Sequence, residues 1–171
     1  MRLRPYKPCD AAVILSWVKD EDTFRKWVTD RYPHYPITAE EMNEKYFRFN
    51  GDCTEPDNFY PMTAFDERGL VGHLILRFTD AEKTVLRFGF VIVDDARRGT
   101  GCGREMLRLA MQYASEILKV RKITIGVLES NPGAYRCYRA VGFRDADIEP
   151  SVFHLMGQEV RCLELEWEAP C

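Results

Sequence analysis

Apolar positions in the first fifty residues follow helical spacing. Three helices are predicted there: one runs from Asp10 to about Lys19, a second covers residues 22–30, and a third begins at Thr38. The first carries an apolar stripe and Asp10 as its predicted N-terminal cap, and the third has a Glu three residues after its Thr, as in a capping box. A short strand opens at Leu3. This stretch therefore predicts a helical layer behind one strand.

From Phe59 onwards apolar residues alternate with a period of two, which predicts strands. Strands 59–65, 70–78 and 84–93 are joined by short polar turns and read as an antiparallel meander. A helix over 101–118, a doubly apolar strand over 123–128, a helix over 132–140 and strands near 152–155 and 160–167 follow. The order predicts a single α/β domain over 1–171. Its mixed sheet is antiparallel in its first half, has a parallel pair around the glycine-rich loop at 99–103, and is flanked by helices.

Composition and charge narrow the class of protein. The chain has 171 residues, of which 46% are hydrophobic and 30% charged, and this is typical of a soluble globular domain. A net charge of −3 argues against a dedicated nucleic-acid binder. No apolar stretch reaches the length of a membrane span, and the first residues lack the apolar core of a signal peptide. We therefore expect a cytoplasmic protein with no nucleic-acid or membrane partner.

The cysteines do not indicate a metal site. None of the six forms C-x-x-C, and no Cys/His cluster has zinc spacing. We expect no metal cofactor and, in a cytoplasmic setting, reduced thiols. The positions are Cys9, Cys53, Cys102, Cys137, Cys162 and Cys171.

A glycine-rich loop follows the strand that ends at Val93. The run R-G-T-G-C-G occupies 98–103 and opens the helix predicted from Gly101. Three alternate glycines leave backbone N–H groups uncovered beside the positive end of the helix dipole, an arrangement that holds a phosphate or pyrophosphate. A Walker loop would need a Lys after the glycines, and a Rossmann loop would need its third glycine one residue later than Gly103.

Two motifs at matching spacing carry a family resemblance. The loop reads R-x-x-G-x-G, and about thirty residues later the chain reads N-x-x-A-x-x-x-Y-x-x-x-G-F. Together with the strand before the loop and the helix after it, they resemble the GNAT-type N-acetyltransferases over residues 59–143. The matching positions are Arg98, Gly101, Gly103, Asn131, Ala134, Tyr138, Gly142 and Phe143.

The resemblance implies acetyl-CoA as acetyl donor. Its pyrophosphate would bind backbone N–H groups of the loop, which comprises Arg98, Gly99, Thr100, Gly101, Cys102, Gly103 and Arg104. Its pantetheine arm would pair with the backbone of Val91, Ile92 and Val93 as an added strand, and one of those N–H groups would polarise the acetyl carbonyl. Asn131 would bond to the arm, although a helix cap also explains it, and Ala134 would leave room beside the helix.

The resemblance also implies Tyr138 as the general acid that protonates the departing thiolate. A phenol of pKa ~10 can donate to a thiolate whose conjugate acid lies near ~8.5 or above. An ordinary core tyrosine is the alternative. The base is less clear, because the family's strand carboxylate aligns with Arg87. Glu129 is the leading candidate and His73 a lesser one, although a helix-entry charge and a strand histidine explain both; water is a further option.

The function expected from these residues is direct transfer of acetyl from acetyl-CoA to a primary amine. A thiol relay through Cys102 or Cys137 is disfavoured, since neither has a nearby His in sequence. The alternatives are a non-catalytic acyl-CoA-binding sensor and, less well supported, a dinucleotide-binding oxidoreductase.

The acceptor stays open among polyamine, antibiotic, amino acid and protein N-terminus, so the partner is a small-molecule or peptide amine. A homodimer is a possible assembly. By resemblance, the aromatic N-terminal helices lie over the acceptor.

Overall fold

The computed structural model describes residues 1–51 and 59–169; Cys53 and Cys171 lie outside the described residues. The helices, in chain order, are α1 (Ala11–Ser16), α2 (Glu21–Val28), α3 (Ala39–Phe49), α4 (Cys102–Gln112) and α5 (Pro132–Ala140). The strands are β1 (Arg2–Pro5), β2 (Tyr60–Asp66), β3 (Gly69–Phe78), β4 (Val85–Val93), β5 (Lys122–Leu128), β6 (Arg144–Asp145), β7 (Ser151–Leu155) and β8 (Gln158–Glu168).

The described strands form one eight-stranded mixed sheet. Its order is β1-β2-β3-β4-β5-β8-β6, with β7 paired to β8. Strands β4 and β5 run parallel, and the other described pairs are antiparallel. The predicted α/β class, with an antiparallel first half and a parallel pair around the loop, is confirmed.

The sheet separates two apolar cores. Alternation along β3 sends Leu74 and Leu76 to the core beneath α4 and α5, and Ile75 to the core beneath α1, α2 and α3. The second core is strongly aromatic, with Phe24, Trp27 and Tyr46 all buried. The fold therefore has three layers, with helices on both faces of the sheet.

The N-terminal helices begin and end elsewhere than predicted. Helix α1 ends at Ser16 rather than near Lys19, and the side chain of Asp10 does not cap it. The Asp10 carboxylate instead accepts bonds from Arg4 at 2.7 and 2.8 Å, from the Lys7 N–H at 2.9 Å and from the Thr63 hydroxyl at 3.1 Å. This buried carboxylate ties β1 and β2 to the start of α1. The capping box predicted at Thr38 is confirmed.

The helix after the loop is shorter than predicted. Helix α4 ends at Gln112 and continues as a single π turn over Tyr113–Ile117, where the Leu118 N–H donates to the Tyr113 carbonyl at 3.1 Å. The Ser115 hydroxyl donates to the Met111 carbonyl at 2.9 Å and so competes for a helix acceptor. This local competition fits a change of helix type at that point.

The described part of the chain has neither a candidate membrane-spanning helix nor a candidate metal site. None of its helices combines the length and the apolar character that crossing a bilayer requires. No group of three or more His, Cys, Asp and Glu side chains within 1–51 and 59–169 could hold a metal ion.

We predict that Asp10→Asn lowers the free energy of unfolding by about 2 kcal/mol, because it leaves Arg4 without its buried partner. Burial raises the pKa of Asp10, but the bonds from Arg4, the Lys7 N–H and Thr63 outweigh burial and leave that pKa below its ordinary value. The contribution is therefore present above the unfolded pKa of about 3.9 and is lost as the pH falls through the folded pKa.

Urea unfolding of wild type and variant between pH 3 and pH 7 checks this prediction. The difference between them should be constant near neutrality and shrink below about pH 4. Glu168→Gln, which removes one partner of the exposed pair between Arg144 and Glu168, is the control and should change stability by less than about 0.5 kcal/mol. An Asp10→Asn effect as small as that of the control would contradict the anchoring role.

Candidate functional site

Strands β4 and β5 separate halfway along their length. Their parallel pairing joins Val85–Phe88 to Lys122–Ile125 and then stops. Beyond it, β4 continues on β3 as far as Val93, and β5 continues on β8 as far as Leu128. Each strand thus keeps one partner and presents one free edge to a gap in the middle of the sheet.

A bulge in β4 lies at the start of the gap. The β3–β4 register passes from Ile75 opposite Gly89 to His73 opposite Ile92, so β4 carries an extra residue there. Phe90 has a φ of +48°, and its carbonyl accepts a 2.7 Å bond from the indole N–H of Trp27 on α2. Because a bulge bends its strand, it helps β4 to turn away from β5, and Trp27 gives the displaced carbonyl a partner.

The glycine loop opens α4 beside this gap. Gly99 and Gly101 have φ of +78° and +92°, in the left-handed region that favours glycine. The first bond within the helix joins the Glu105 N–H to the Gly101 carbonyl at 3.1 Å. The N–H groups of the first helical turn, from Cys102 to Arg104, therefore have no acceptor inside the helix. They form the expected seat for an anion.

Side-chain contacts hold the loop in place. Arg97 pairs with Asp66 on β2, and its hydrogen bonds keep the pKa of that carboxyl at about 2. The Thr100 hydroxyl donates to the Arg97 carbonyl at 2.7 Å, and Arg98 Nε donates to the Val93 carbonyl at 3.3 Å. These bonds link the loop to the sheet on both sides of the glycines.

A cleft of about 660 Å³ collects the residues of both sequence motifs. It runs from the glycine loop along the free edge of β4 to α5. Of the predicted site residues, its lining includes Val91, Ile92, Val93, Arg98, Gly99, Gly101, Gly103, Arg104, Asn131, Ala134 and Tyr138. Thr100, Cys102 and Glu129 are outside the lining. The Asn131 side chain accepts from the Ala134 N–H at 3.1 Å, which confirms its role as a cap.

The cleft has a cationic rim. Arg98, Arg104 and Arg136 line it and are exposed, and none of the three forms an ion pair within the described residues. Three guanidinium groups around a helix N-terminus favour an anion of more than one charge. The electrostatics of the cleft thus fit a ligand with several phosphates.

Tyr138 is a buried residue in the wall of the cleft. Its ring is buried and packs against Phe143, with the ring centroids 6.3 Å apart. Burial raises the pKa of Tyr138 above its ordinary value, so the phenol keeps its proton at neutral pH. Within the described residues the hydroxyl has no hydrogen-bond partner. Tyr138 is therefore a protonated phenol without an internal acceptor in the wall of the cleft.

A second cavity of about 190 Å³ lies across the gap, beneath α2 and α3. Lys26 and Trp27 are the described residues that line both cavities, so α2 lies over the junction between them. The walls of the second cavity combine aromatic and basic side chains. The aromatic residues are Trp27, Phe49, Phe59, Phe88, Phe90 and Phe153, and the basic ones are Lys26, Arg31, Lys45, Arg77 and Arg87.

The two candidate bases lie outside both linings. Glu129 is exposed at the end of β5 and pairs with Arg161 at 3.3 Å. His73 is fully buried, its Nε2 lies 2.8 Å from the Tyr46 hydroxyl, and burial lowers its pKa to about 3. His73 would thus be neutral at physiological pH, without access to either cavity.

The strand position that carries a carboxylate in the resembling family holds Arg87 here, and Arg87 has a carboxylate partner from elsewhere. Glu164 on β8 reaches across β5 and accepts two bonds from Arg87, at 2.7 and 2.9 Å. The side chains cross above Gly126, where a Cβ would lie 2.7 Å from Arg87 Nη2 and 3.3 Å from Glu164 Oε1. Glycine at 126 therefore makes room for this pair beside the second cavity.

The resemblance places the aromatic N-terminal helices over the acceptor, but sequence reasoning did not assign individual residues of α2 to the cleft. Asp22, Thr23, Lys26 and Trp27 all line it, as do Arg136 and Cys137 on α5. The helical period marks Trp27 only as apolar, and nothing local distinguishes Asp22 from other charges on the helix. The residues of α2 reach the site through packing of that helix on β4, which no sequence motif encodes, whereas Arg136 and Cys137 lie within the second motif.

A family model described as Acetyltransferase (GNAT) domain matches residues 1–144. Among curated proteins, the spermine/spermidine N(1)-acetyltransferase of Bacillus subtilis (strain 168) is 33% identical over 52 residues, which are 30% of this chain. The match spans about a third of that relative's length (34%).

Solved structures are similar over nearly the whole chain. Spermidine N-acetyltransferase from Vibrio cholerae, solved in complex with CoA and spermine, has a TM-score of 0.79 at 20% identity and is matched over 98% of this chain and 94% of that one. A protein provisionally named phosphinothricin N-acetyltransferase has a TM-score of 0.76 at 18% identity over 99% of each chain. At these identities the similarity shows the fold.

We predict that Gly103→Val removes most of the thermal stabilisation that CoA gives the wild type. That stabilisation should be about 2.7 kcal/mol at a hundredfold excess over the dissociation constant. A Cβ at 103 would lie 3.4 Å from Cys137 Sγ and from Val93 Cγ2, so the two further methyl groups of Val crowd the first turn of α4, where the anion is expected to bind. Melting curves with and without CoA measure the shift.

Gly103→Ala is the matched control. Its single methyl meets only those two contacts and should leave the fold and part of the CoA shift intact. A full CoA shift in Gly103→Val, with an unchanged melting temperature of the free protein, would place the anion elsewhere.

Proposed function

The chain belongs to the GNAT acetyltransferase family, and on that basis we propose that it transfers the acetyl group of acetyl-CoA to a primary amine of a polyamine by direct attack. The observation that carries the proposal is the meeting of two cavities at the gap between β4 and β5. One cavity has the anion seat and the other adjoins it at Lys26 and Trp27, so a donor and an acceptor could approach each other from the two sides of the gap.

The donor would lie along the larger cleft. Its phosphates would be held by the first-turn N–H groups of α4 and by the arginine rim. Its arm would extend along the free edge of β4 towards Tyr138. The Asp94 N–H donates to the Val71 carbonyl on β3 at 2.9 Å, so by alternation the N–H of Val93 faces the gap. Such an N–H can pair with the amides of the arm.

The reaction would form a tetrahedral intermediate at the acetyl carbon. The amine nitrogen bonds to that carbon, the carbonyl oxygen gains negative charge, and collapse breaks the bond to sulfur. Backbone N–H groups on the free edge of β4 would stabilise the oxyanion. The Tyr138 hydroxyl would then protonate the leaving thiolate; its raised pKa ensures that the proton is present at neutral pH.

The named relatives and the second cavity support a polyamine acceptor. The Bacillus relative is named for spermine and spermidine, and the Vibrio structure was solved with spermine. The aromatic residues of the second cavity suit the alkyl segments of a polyamine, and aromatic faces attract ammonium groups. The basic residues of the same lining repel those groups, so the names of the relatives are the stronger support for a polyamine.

Glu129 stays the predicted base. Since its carboxylate is outside the lining of both cavities, a water molecule would have to carry the proton from the amine to it. Its ion pair with Arg161 is exposed at both ends and leaves the carboxylate accessible to such a water. The alternative is that water alone carries the amine proton to bulk solvent, and the pH profile of Glu129→Gln distinguishes the two routes.

We predict that the protein releases free CoA thiol from acetyl-CoA in the presence of spermidine, and that Tyr138→Phe lowers kcat about 10²-fold. The hydroxyl has no partner among the described residues, so its removal costs no internal hydrogen bond and the melting temperature should hold. Thiol release with a panel of polyamines, amino acids and aminoglycosides measures the activity.

Tyr135→Phe is the matched control on the same helix. The Tyr135 hydroxyl donates to Asp145 at 2.9 Å, away from the cleft, so this variant should retain wild-type turnover. Binding of acetyl-CoA without turnover of any amine would refute the enzymatic proposal and favour an acyl-CoA sensor. Full activity of Tyr138→Phe would reduce Tyr138 to a core residue.

We predict that Glu129→Gln lowers kcat/KM most at low pH, where removal of the amine proton limits the rate. The pH profile of spermidine acetylation, compared with that of wild type, is the measurement. A profile of unchanged height and shape would exclude Glu129 as the base and leave water as the acceptor of the proton. Arg161→Gln, which removes only the partner of Glu129, should keep the wild-type kcat/KM at low pH.

A further inference from the structure

We propose that the ion pair between Asp22 and Lys26 sets acceptor selectivity: Asp22 is an anchor for a cationic acceptor, and Lys26 is a built-in competitor for it. The inference rests on the proposed function and deepens it, since it assigns the acceptor's ammonium group to a particular carboxylate. Both residues lie on the first turns of α2.

The pair lies where the two cavities meet. Lys26 lines both cavities, and Asp22, one turn earlier on the same face of α2, lines the donor cleft. Lys26 Nζ is 2.5 Å from Asp22 Oδ2. An acceptor amine that moved from the second cavity towards a thioester in the cleft would come within reach of both charges.

Asp22 is the carboxylate available to such an amine. Among the described residues that line either cavity, Asp22 is the one acidic residue. An alkylammonium with a pKa near ~10.4 arrives protonated at neutral pH and gains from an anionic partner before it loses its proton. The first turn of a helix favours a carboxylate, and the Asp20 cap fixes that turn through a 2.7 Å bond from the Thr23 N–H.

Breaking the pair between Asp22 and Lys26 requires little free energy. The side chain of Asp22 is 61% exposed and that of Lys26 is 27% exposed. An i,i+4 pair of this kind stabilises a helix by only about 0.3–0.5 kcal/mol. A ligand ammonium can therefore displace Lys26 from Asp22, and a polycation gains more than a monoamine because its further charges do not compete at the same point. Lys26 thus raises the KM of an amine with a single charge more than that of a polyamine.

A neighbouring pair supplies an internal control. Glu21 and Arg25 form the other i,i+4 pair of α2, with Arg25 Nη2 3.1 Å from Glu21 Oε1. Neither residue lines a cavity. Arg25 also donates to the Tyr32 carbonyl at 2.8 Å, so it stays in place without Glu21. Glu21→Gln removes one charge from the same turn without reaching the junction.

The test compares Lys26→Met, Asp22→Asn, the double variant and Glu21→Gln. We expect Lys26→Met to lower KM for propylamine about threefold with kcat unchanged, and to lower KM for spermidine less. Asp22→Asn should raise both values. In the Asp22→Asn background, Lys26→Met should no longer lower KM, because there is no carboxylate left to release. Glu21→Gln should behave as wild type.

Three results would overturn the proposal. The first is equal KM values for propylamine in wild type and Lys26→Met. The second is a raised KM for acetyl-CoA in Lys26→Met with unchanged acceptor KM, which would assign Lys26 to the donor. The third is an undiminished effect of Lys26→Met in the Asp22→Asn background. Calorimetry of spermidine binding to CoA-saturated protein gives the same comparison of variants without turnover. If the wild type acetylates no amine, the proposed function is refuted, and the binding data still test the role of Asp22 and Lys26.

Discussion

Hydrogen bonding between β4 and β5 stops after Phe88 and Ile125, and the site depends on that interruption. A parallel sheet normally pairs along its length, because unpaired backbone groups in its interior lack water as a partner. Here each strand keeps an antiparallel neighbour, so the sheet stays intact around the gap. The bulge at Phe90 bends β4, and the indole of Trp27 satisfies the displaced carbonyl. The N-terminal helices thus help to hold open the gap that the C-terminal half uses.

Features set by neighbouring residues were predictable. The glycine loop, the Asn131 cap and the alternation of the strands depend on local conformation, and the structure has them where the sequence indicated. The mixed sheet followed from their order. The extra turn of helix expected after Ser16 did not form, and Asp10 serves as a buried anchor rather than a cap, because its partners Arg4 and Thr63 come from two strands of the sheet.

The resemblance indicated that the N-terminal helices lie over the site, but the residues that α2 contributes could not be predicted. Trp27 contacts Phe90 from 63 positions away, and Asp22 lies at the cleft because α2 packs on β4. The pair between Arg87 and Glu164 has the same origin, since β8 comes beside β5 only through the sheet order and Gly126 leaves the space between them. Charges that meet across a sheet carry no periodic signal along the chain.

The placement of the two apolar cores on opposite faces of the sheet has an evolutionary consequence. In the proposed reaction the donor would rest on the core beneath α4 and α5, and the acceptor on the core beneath α1, α2 and α3. Among the described residues no buried side chain belongs to both cores, so substitutions that reshape one need not unsettle the packing of the other. Such a scaffold can change the molecule it modifies while it keeps the coenzyme that supplies the group, and descendants of one ancestor could diverge in substrate without rebuilding the machinery for the donor.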